Sequence, residues 1–152
     1  MARSKPRVVD VTNALSRDDY KETLTKIAQA GLCPFCEQNL AKHHPKPIVA
    51  KNASWLATPS NWPYRGAKRH FLLIARPHLE RADKLTREQW IDLHKLLIKL
   101  VRSYKLRGTS LVMRSGDTAY TGASVSHLHA HLITGRRRRN PKDEIVAPIG
   151  YF

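Results

Sequence analysis

The chain has 152 residues, which suits one ordinary domain with a real core, and its 41% hydrophobic content includes no apolar run long enough to span a bilayer. Its 27 Lys+Arg against 12 Asp+Glu give a formal charge of +15, a field that attracts polyanions such as nucleic acid, nucleotide polyphosphates or an anionic surface. The opening MARSKPRVVD is basic but lacks the apolar stretch of a secretory signal, so the cytoplasm is the expected address and a membrane partner is not expected.

Residues 1 to 15 have weak periodicity and are expected as an extended or mobile N-terminal arm, with a single domain over 16 to 152. The first helix is predicted from Arg17 to Ala30. Ser16 with Asp19 forms a capping-box pattern, Asp18 and Asp19 suit the positive end, and Gly31 suits the C′ position. The only two cysteines follow directly, as Cys33 and Cys36 in CPFC. A disulfide is disfavoured in a reducing compartment. A redox dithiol, as in glutaredoxin-like CPFC, wants its first cysteine at a helix N-terminus just after a strand, whereas here a helix ends before it. The preferred reading is half of a zinc knuckle, two thiolates awaiting imidazoles from elsewhere. The following EQNLAKHHPKP reads as a broken loop that carries His43 and His44 as exposed residues.

Ile48 to Ser60 suggests one or two short strands with Val49, Trp55 and Leu56 as apolar positions, and Asn61 to Arg69 has the Pro and Gly of a surface loop. His70 to Arg76 is the best fully buried strand, halted by Pro77 and followed by His78. Thr86 to about Leu106 is the one long helix. It opens with a capping box, Thr86 and Gln89, and carries Trp90, Leu93, Leu97, Leu100, Val101 and Tyr104 on a core-facing stripe, with Gly108 closing it. Ser110 to Met113 makes another short strand, and Arg114 to Gly122 a polar loop.

Then comes SVSHLHAHLI, with His127, His129 and His131 at two-residue spacing. In a strand that spacing puts the imidazoles on one face and Leu128, Ala130 and Leu132 on the other. Imidazole can be a neutral nucleophile, a proton shuttle or a metal ligand near neutral pH, so the run concentrates chemistry on one face. A tag-like cluster is the plain alternative, but tags are contiguous and terminal, and this run is interleaved with aliphatics inside a domain. The last twenty residues are basic and loop-like, densest at Arg136 to Arg139. The sum is α+β, a small antiparallel sheet with a long helix packed on one face.

HLHAHLI fits the HxHxHxx signature and so resembles the histidine triad (HIT) superfamily of nucleotide hydrolases and transferases. HFLLIARPH is similar to the family's HxLVIPKxH segment, GASVS to its Gly-Gln-Ser phosphate loop, and CPFC to the CxxC of zinc-containing members. The likeness runs over Leu32 to Gly135. It implies a HIT-like fold in which His129 attacks the α-phosphorus of a nucleotide to form a nucleotidyl-histidine. His131 would contact the phosphoryl group and assist proton movement, and His127 would complete the catalytic triad. Gly122, Ala123 and Ser124 would hold phosphate oxygens, Asn61 the ribose, and His70 would support the triad from beneath. The zinc set of metal-containing members maps onto Cys33, Cys36, His78 and His127, a closed structural site. His43 or His44 could stand in for His78.

The sequence departs from the family where Ala123 replaces a Gln that handles the leaving group and where Arg114 replaces an Asn, an arginine that could clamp an extra phosphate. The expected substrate is a dinucleoside polyphosphate or a nucleoside 5′-phosphoester or phosphoramidate, and His131 in place of Gln favours hydrolysis over transfer or phosphorolysis. The resemblance also implies a homodimer. Two other functions stay open: a nucleic-acid-binding module gripping phosphates nonspecifically through Arg136 to Arg139, and a CPFC thiol oxidoreductase.

Overall fold

The computed structural model describes residues 8 to 14 and 18 to 151. The expected cap at Ser16 and most of the expected arm, residues 1 to 7 and 15, lie outside them. Five strands form one antiparallel sheet: β1 (Ala50–Lys51), β2 (Trp55–Pro59), β3 (Arg69–Ala75), β4 (Ser110–Met113) and β5 (His129–Thr134), in the order β1-β2-β3-β5-β4. The helices are α1 (Asp18–Ala30), α2 (Glu37–His43), α3 (Arg87–Ser103) and the single turn α4 (Thr118–Thr121).

Strand alternation sorts the side chains by face. Trp55, Ala57, Phe71, Leu73, Ala130 and Leu132 meet Leu93, Leu96 and Leu100 of α3 in the main core. Leu56, Leu72 and Ile74 face the other way, where Leu40 of α2 covers them. Register then places His131 opposite Leu72 and His129 opposite Ile74, so both imidazoles stand on the face that α3 does not cover. Their backs, Ala130 and Leu132, are fully buried in the core.

The capping box of α3 forms as expected: Thr86 Oγ1 accepts from Gln89 N at 3.2 Å, and Gln89 Oε1 accepts from Thr86 N at 2.8 Å. Thr86→Ala is expected to destabilise the fold by about 1 kcal/mol, readable as a lower midpoint in denaturant titration. The stripe below the cap forms in part, with Leu97 and Tyr104 packed against the core beside Leu93 and Leu100. Leu93, Leu96 and Leu100 point inward, while Trp90 stays 46% exposed, because the buried arc is only about a third of the helix circumference. Nor does Gly108 end the helix: Tyr104 caps it, and Lys105 takes the left-handed conformation that glycine usually supplies.

Three further expectations are corrected. EQNLAKH is helix α2, not a broken loop: Glu37 suits its first turn and Lys42 its last, and Pro45 stops the helix without preventing it. His44 is buried, its Nε2 paired with Thr58 Oγ1 at 2.8 Å, and burial pushes its pKa below the ordinary value. The loop after β4 contains α4, capped by Asp117 and closed by Gly122 at φ 70.

Residues 8 to 14 are docked. Val9 bridges Val125, Asp10 N donates to Ser124 O, and Val9 and Ala14 share a small core with Leu24 and Ile27 of α1. Among the described residues, no helix is long and apolar enough to cross a membrane.

Candidate active site

His127, His129 and His131 divide between two neighbouring sites. Regular pairing of β5 begins at His129, but alternation continues backwards, since Leu128 joins the core and donates its N–H to Leu79 O. That orientation turns the His127 ring towards CPFC. His127 Nδ1 lies 3.3 Å from Cys33 Sγ and 3.8 Å from Cys36 Sγ, and His78 Nδ1 lies 3.4 Å from Cys36 Sγ. All four donor atoms fall within 4.8 Å of one another. Zinc bound by thiolate at about 2.3 Å and imidazole at about 2.0 Å in a tetrahedron needs ligand separations of this size. The residues therefore fit zinc, with His78 in the set, and neither His43 nor His44 belongs to it.

His127 Nε2 donates to Ala75 O at 2.6 Å, which fixes the tautomer that leaves Nδ1 open towards the thiols. Burial pushes the Cys33 thiol up to about 11, a penalty that a divalent cation reverses by taking the thiolate as ligand. Both cysteines are free, and Cys33 is buried, unlike the exposed, activated thiol of an oxidoreductase.

His129 and His131 line a pocket of about 460 Å³. His129 Nδ1 donates to the carbonyl of His127 at 2.6 Å, so in the neutral ring the lone pair sits on Nε2. Phe35, carried between the two cysteines, packs edge-on against the same ring with centroids 5.0 Å apart. Burial, offset only in part by the carbonyl of His127, lowers His129 to about 4. His131 is lowered too, by burial first and then by His129, His70 and Arg114.

The sign of the resulting pH dependence is fixed. Both folded pKa values lie below the unfolded one, so below the ordinary value of 6.5 the unfolded chain takes up protons that the fold refuses, and stability falls as pH drops towards 4. Nitrogen NMR of the imidazoles is expected to show His129 as the Nδ1-protonated neutral ring from about pH 5 to about pH 8. A midpoint near the ordinary histidine value contradicts this.

The support under His131 is a relay. Tyr64 N–H donates to His70 Nδ1 at 3.1 Å, and His70 Nε2 lies 2.8 Å from His131 Nδ1. Neutral His70 thus carries its proton on Nε2, and neutral His131 carries its own on Nε2, the nitrogen facing the pocket. Arg114 Nη1 stands 3.2 Å from that nitrogen.

The other expected residues fall as follows. Asn61, Arg114, Gly122 and Ser124 line the pocket. Ala123 is buried behind them, its carbonyl accepting from Asn13 Nδ2 at 2.8 Å, and the His127 ring faces the cysteines instead. No aspartate or glutamate is among the described lining residues, which include Arg65 and Arg114. Two buried side-chain atoms of that lining, Asn61 Oδ1 and His43 Nε2, have no partner among the described residues. Sequence reasoning missed Tyr64, Asn13, Phe35 and Pro148. Phe35 was legible in CPFC, but the others are loop residues without periodicity.

Fold and site together define an α+β protein built around a buried neutral imidazole at an anion-attracting pocket, with a Cys2His2 cluster beside it. The chain belongs to the HIT family: the HIT domain model matches residues 42–138, more than half its length. No curated protein sequence matches it significantly. Among solved structures it is similar to a HIT family hydrolase from Clostridium thermocellum, at 26% identity over 68% of this chain and 90% of that one, with a TM-score of 0.54. It also shares its fold with a Zn-bound histidine triad family protein from Mycobacterium smegmatis (17% identity, 68% and 80% coverage, TM-score 0.52). A histidine triad nucleotide-binding protein from Candida albicans is a further fold match (19% identity, 64% and 71% coverage, TM-score 0.52).

Proposed function

We propose that the protein is a zinc-braced nucleotide hydrolase that cleaves at the α-phosphate through a nucleotidyl-histidine on His129. The observation that carries this reading is the His129 ring itself, buried, neutral, pinned at Nδ1 and open at Nε2 in a pocket with no carboxylate among its described lining residues. The Nε2 lone pair forms a bond to the α-phosphorus as the bond to the leaving group breaks, and the leaving group departs with that electron pair. The ring gains positive charge in this step, which strengthens the Nδ1–H bond to the carbonyl of His127. Water then adds at phosphorus, one of its protons goes to solvent, and the N–P bond breaks to return neutral His129.

The Nε2–H of His131 hydrogen-bonds to a phosphoryl oxygen, where negative charge spreads in the transition state, and the backbone around Gly122 and Ser124 adds further donors. Asn61 Oδ1 accepts from a ribose hydroxyl, and the apolar half of the pocket, Leu24, Ile27, Phe35 and Leu72 with the Tyr20–Trp62 pair, encloses the base. Cys33, Cys36, His78 and His127 would hold zinc with four protein ligands, and the metal would serve there as a structural brace.

A panel of adenine dinucleoside polyphosphates, phosphoesters and phosphoramidates tests the reading directly. Release of AMP from at least one class is expected, and inertness towards all of them contradicts it. Homodimerisation, implied by the family, is tested by light scattering. Arg136 to Arg139 are exposed and would add nonspecific polyanion binding that weakens steeply with salt.

A further inference from the structure

Arg114 is a cation in the pocket whose hydrogen-bond partners among the described residues are all neutral. Its Nη2 donates to Tyr64 Oη at 3.0 Å and to the Pro148 carbonyl, to which Nε also donates at 3.2 Å. Its Nη1 contact with His131 is of another kind. Two neutral imidazoles, His70 and His131, lie in a row between two donors, the Tyr64 N–H and the Arg114 guanidinium. Two protons on such a row leave one contact with a donor facing a donor, whichever tautomers form. The Tyr64 N–H is fixed backbone, so the mismatch falls on the mobile side chain. His131 Nε2–H and Arg114 Nη1–H therefore converge, and what satisfies both is an acceptor between them, as a phosphate oxygen would be.

Pro148 belongs to a segment that leans on the pocket at several points. Val146 and Pro148 form part of the wall, Tyr151 Oη donates to Asn13 Oδ1, and the Tyr151 ring lies against Gly122. The segment buries little apolar surface: Val146, Ile149 and Tyr151 are 78%, 81% and 60% exposed. Polar ties such as the one to Arg114 hold it.

Resting on the nucleotide reading above, we propose that Arg114 sets substrate choice by seating a second phosphate next to the one His129 faces. The C-terminal segment from Ile145 to Tyr151 competes with that phosphate for the guanidinium through the Pro148 carbonyl. A substrate with one phosphate leaves Arg114 with the segment. A substrate with two or more takes it away, exchanging a neutral acceptor for an anionic, bidentate one.

Calorimetric affinities for ADP and AMP on the full chain test this without relying on turnover. Wild type is expected to bind ADP at least about tenfold more tightly than AMP, and Arg114→Ala to lose at least about tenfold more affinity for ADP than for AMP. Arg114→Lys, which keeps charge but not the fork, should fall between. AMP binding by each variant shows that it is folded. Tyr151→Phe, which loosens the segment, should raise the ADP preference about two- to threefold. Equal losses for both nucleotides in Arg114→Ala, or no loss for ADP, overturn the role of Arg114. An unchanged or lower ADP preference in Tyr151→Phe overturns the competition. If wild type shows this preference yet turns over no substrate of the panel, the hydrolase reading fails and the Arg114 assignment stands.

Discussion

His129→Ala is expected to lower turnover by a factor on the order of 10⁴ or more while leaving the melting profile nearly intact. The large loss follows from the chemistry: without the Nε2 lone pair no covalent intermediate forms, and what remains is positioning and charge stabilisation by His131 and the phosphate loop. The small effect on stability follows from the same burial that makes the ring reactive. Neutral His129 makes one hydrogen bond among the described residues, to the carbonyl of His127, and stands at the pocket wall, where the space that alanine leaves opens into the pocket. His131→Ala should lose less, since it removes a donor and not the bond-forming atom. Comparable activity in His129→Ala and wild type would place the reacting group elsewhere.

Loss of the metal cluster is expected to have the next largest effect. Cys33→Ser should remove stoichiometric zinc and destabilise the fold by at least about 4 kcal/mol, a fall in Tm of about 10 °C. The cluster ties the segment between α1 and α2 to His78 after β3 and His127 before β5, three stretches far apart in the chain. Turnover should fall as well, by about 10- to 100-fold, although no ligand of the cluster enters the pocket. Two restraints on the His129 ring belong to the brace: its hydrogen-bond acceptor is the carbonyl of His127, and one of its two edge-on neighbours is Phe35, the other being His131. Elemental analysis, melting curves and assays on one preparation check all three expectations. A metal-free wild type with full activity and an unchanged Tm contradicts them.

What could be foreseen from the residues follows physical scale. Alternation in HLHAHLI is a local signal with one geometric meaning, and the strand pattern of HFLLIAR has the same quality, so β3, β5 and their facing were legible. The capping box at Thr86 was equally local. Where chain segments meet was not. Nothing near Tyr64 announces that its N–H sets the proton on His70, and nothing in APIGY announces that Pro148 reaches Arg114, since such contacts depend on loop paths with no period to read. Helix α2 departs from the expected broken loop because Pro45 and Pro47 act only on their own and the preceding turn and leave Glu37–His43 free to coil. Trp90 departs from the expected core stripe because its helical position lies just outside the buried arc, whatever its hydrophobicity.

The most direct measurement is mass spectrometry of the protein quenched in alkali during turnover of an adenine nucleotide, with the adduct mapped by fragmentation. An AMP group on His129, absent from His129→Ala, is the predicted result. Turnover by the wild type with no such adduct, or an adduct on His131 instead, contradicts the account.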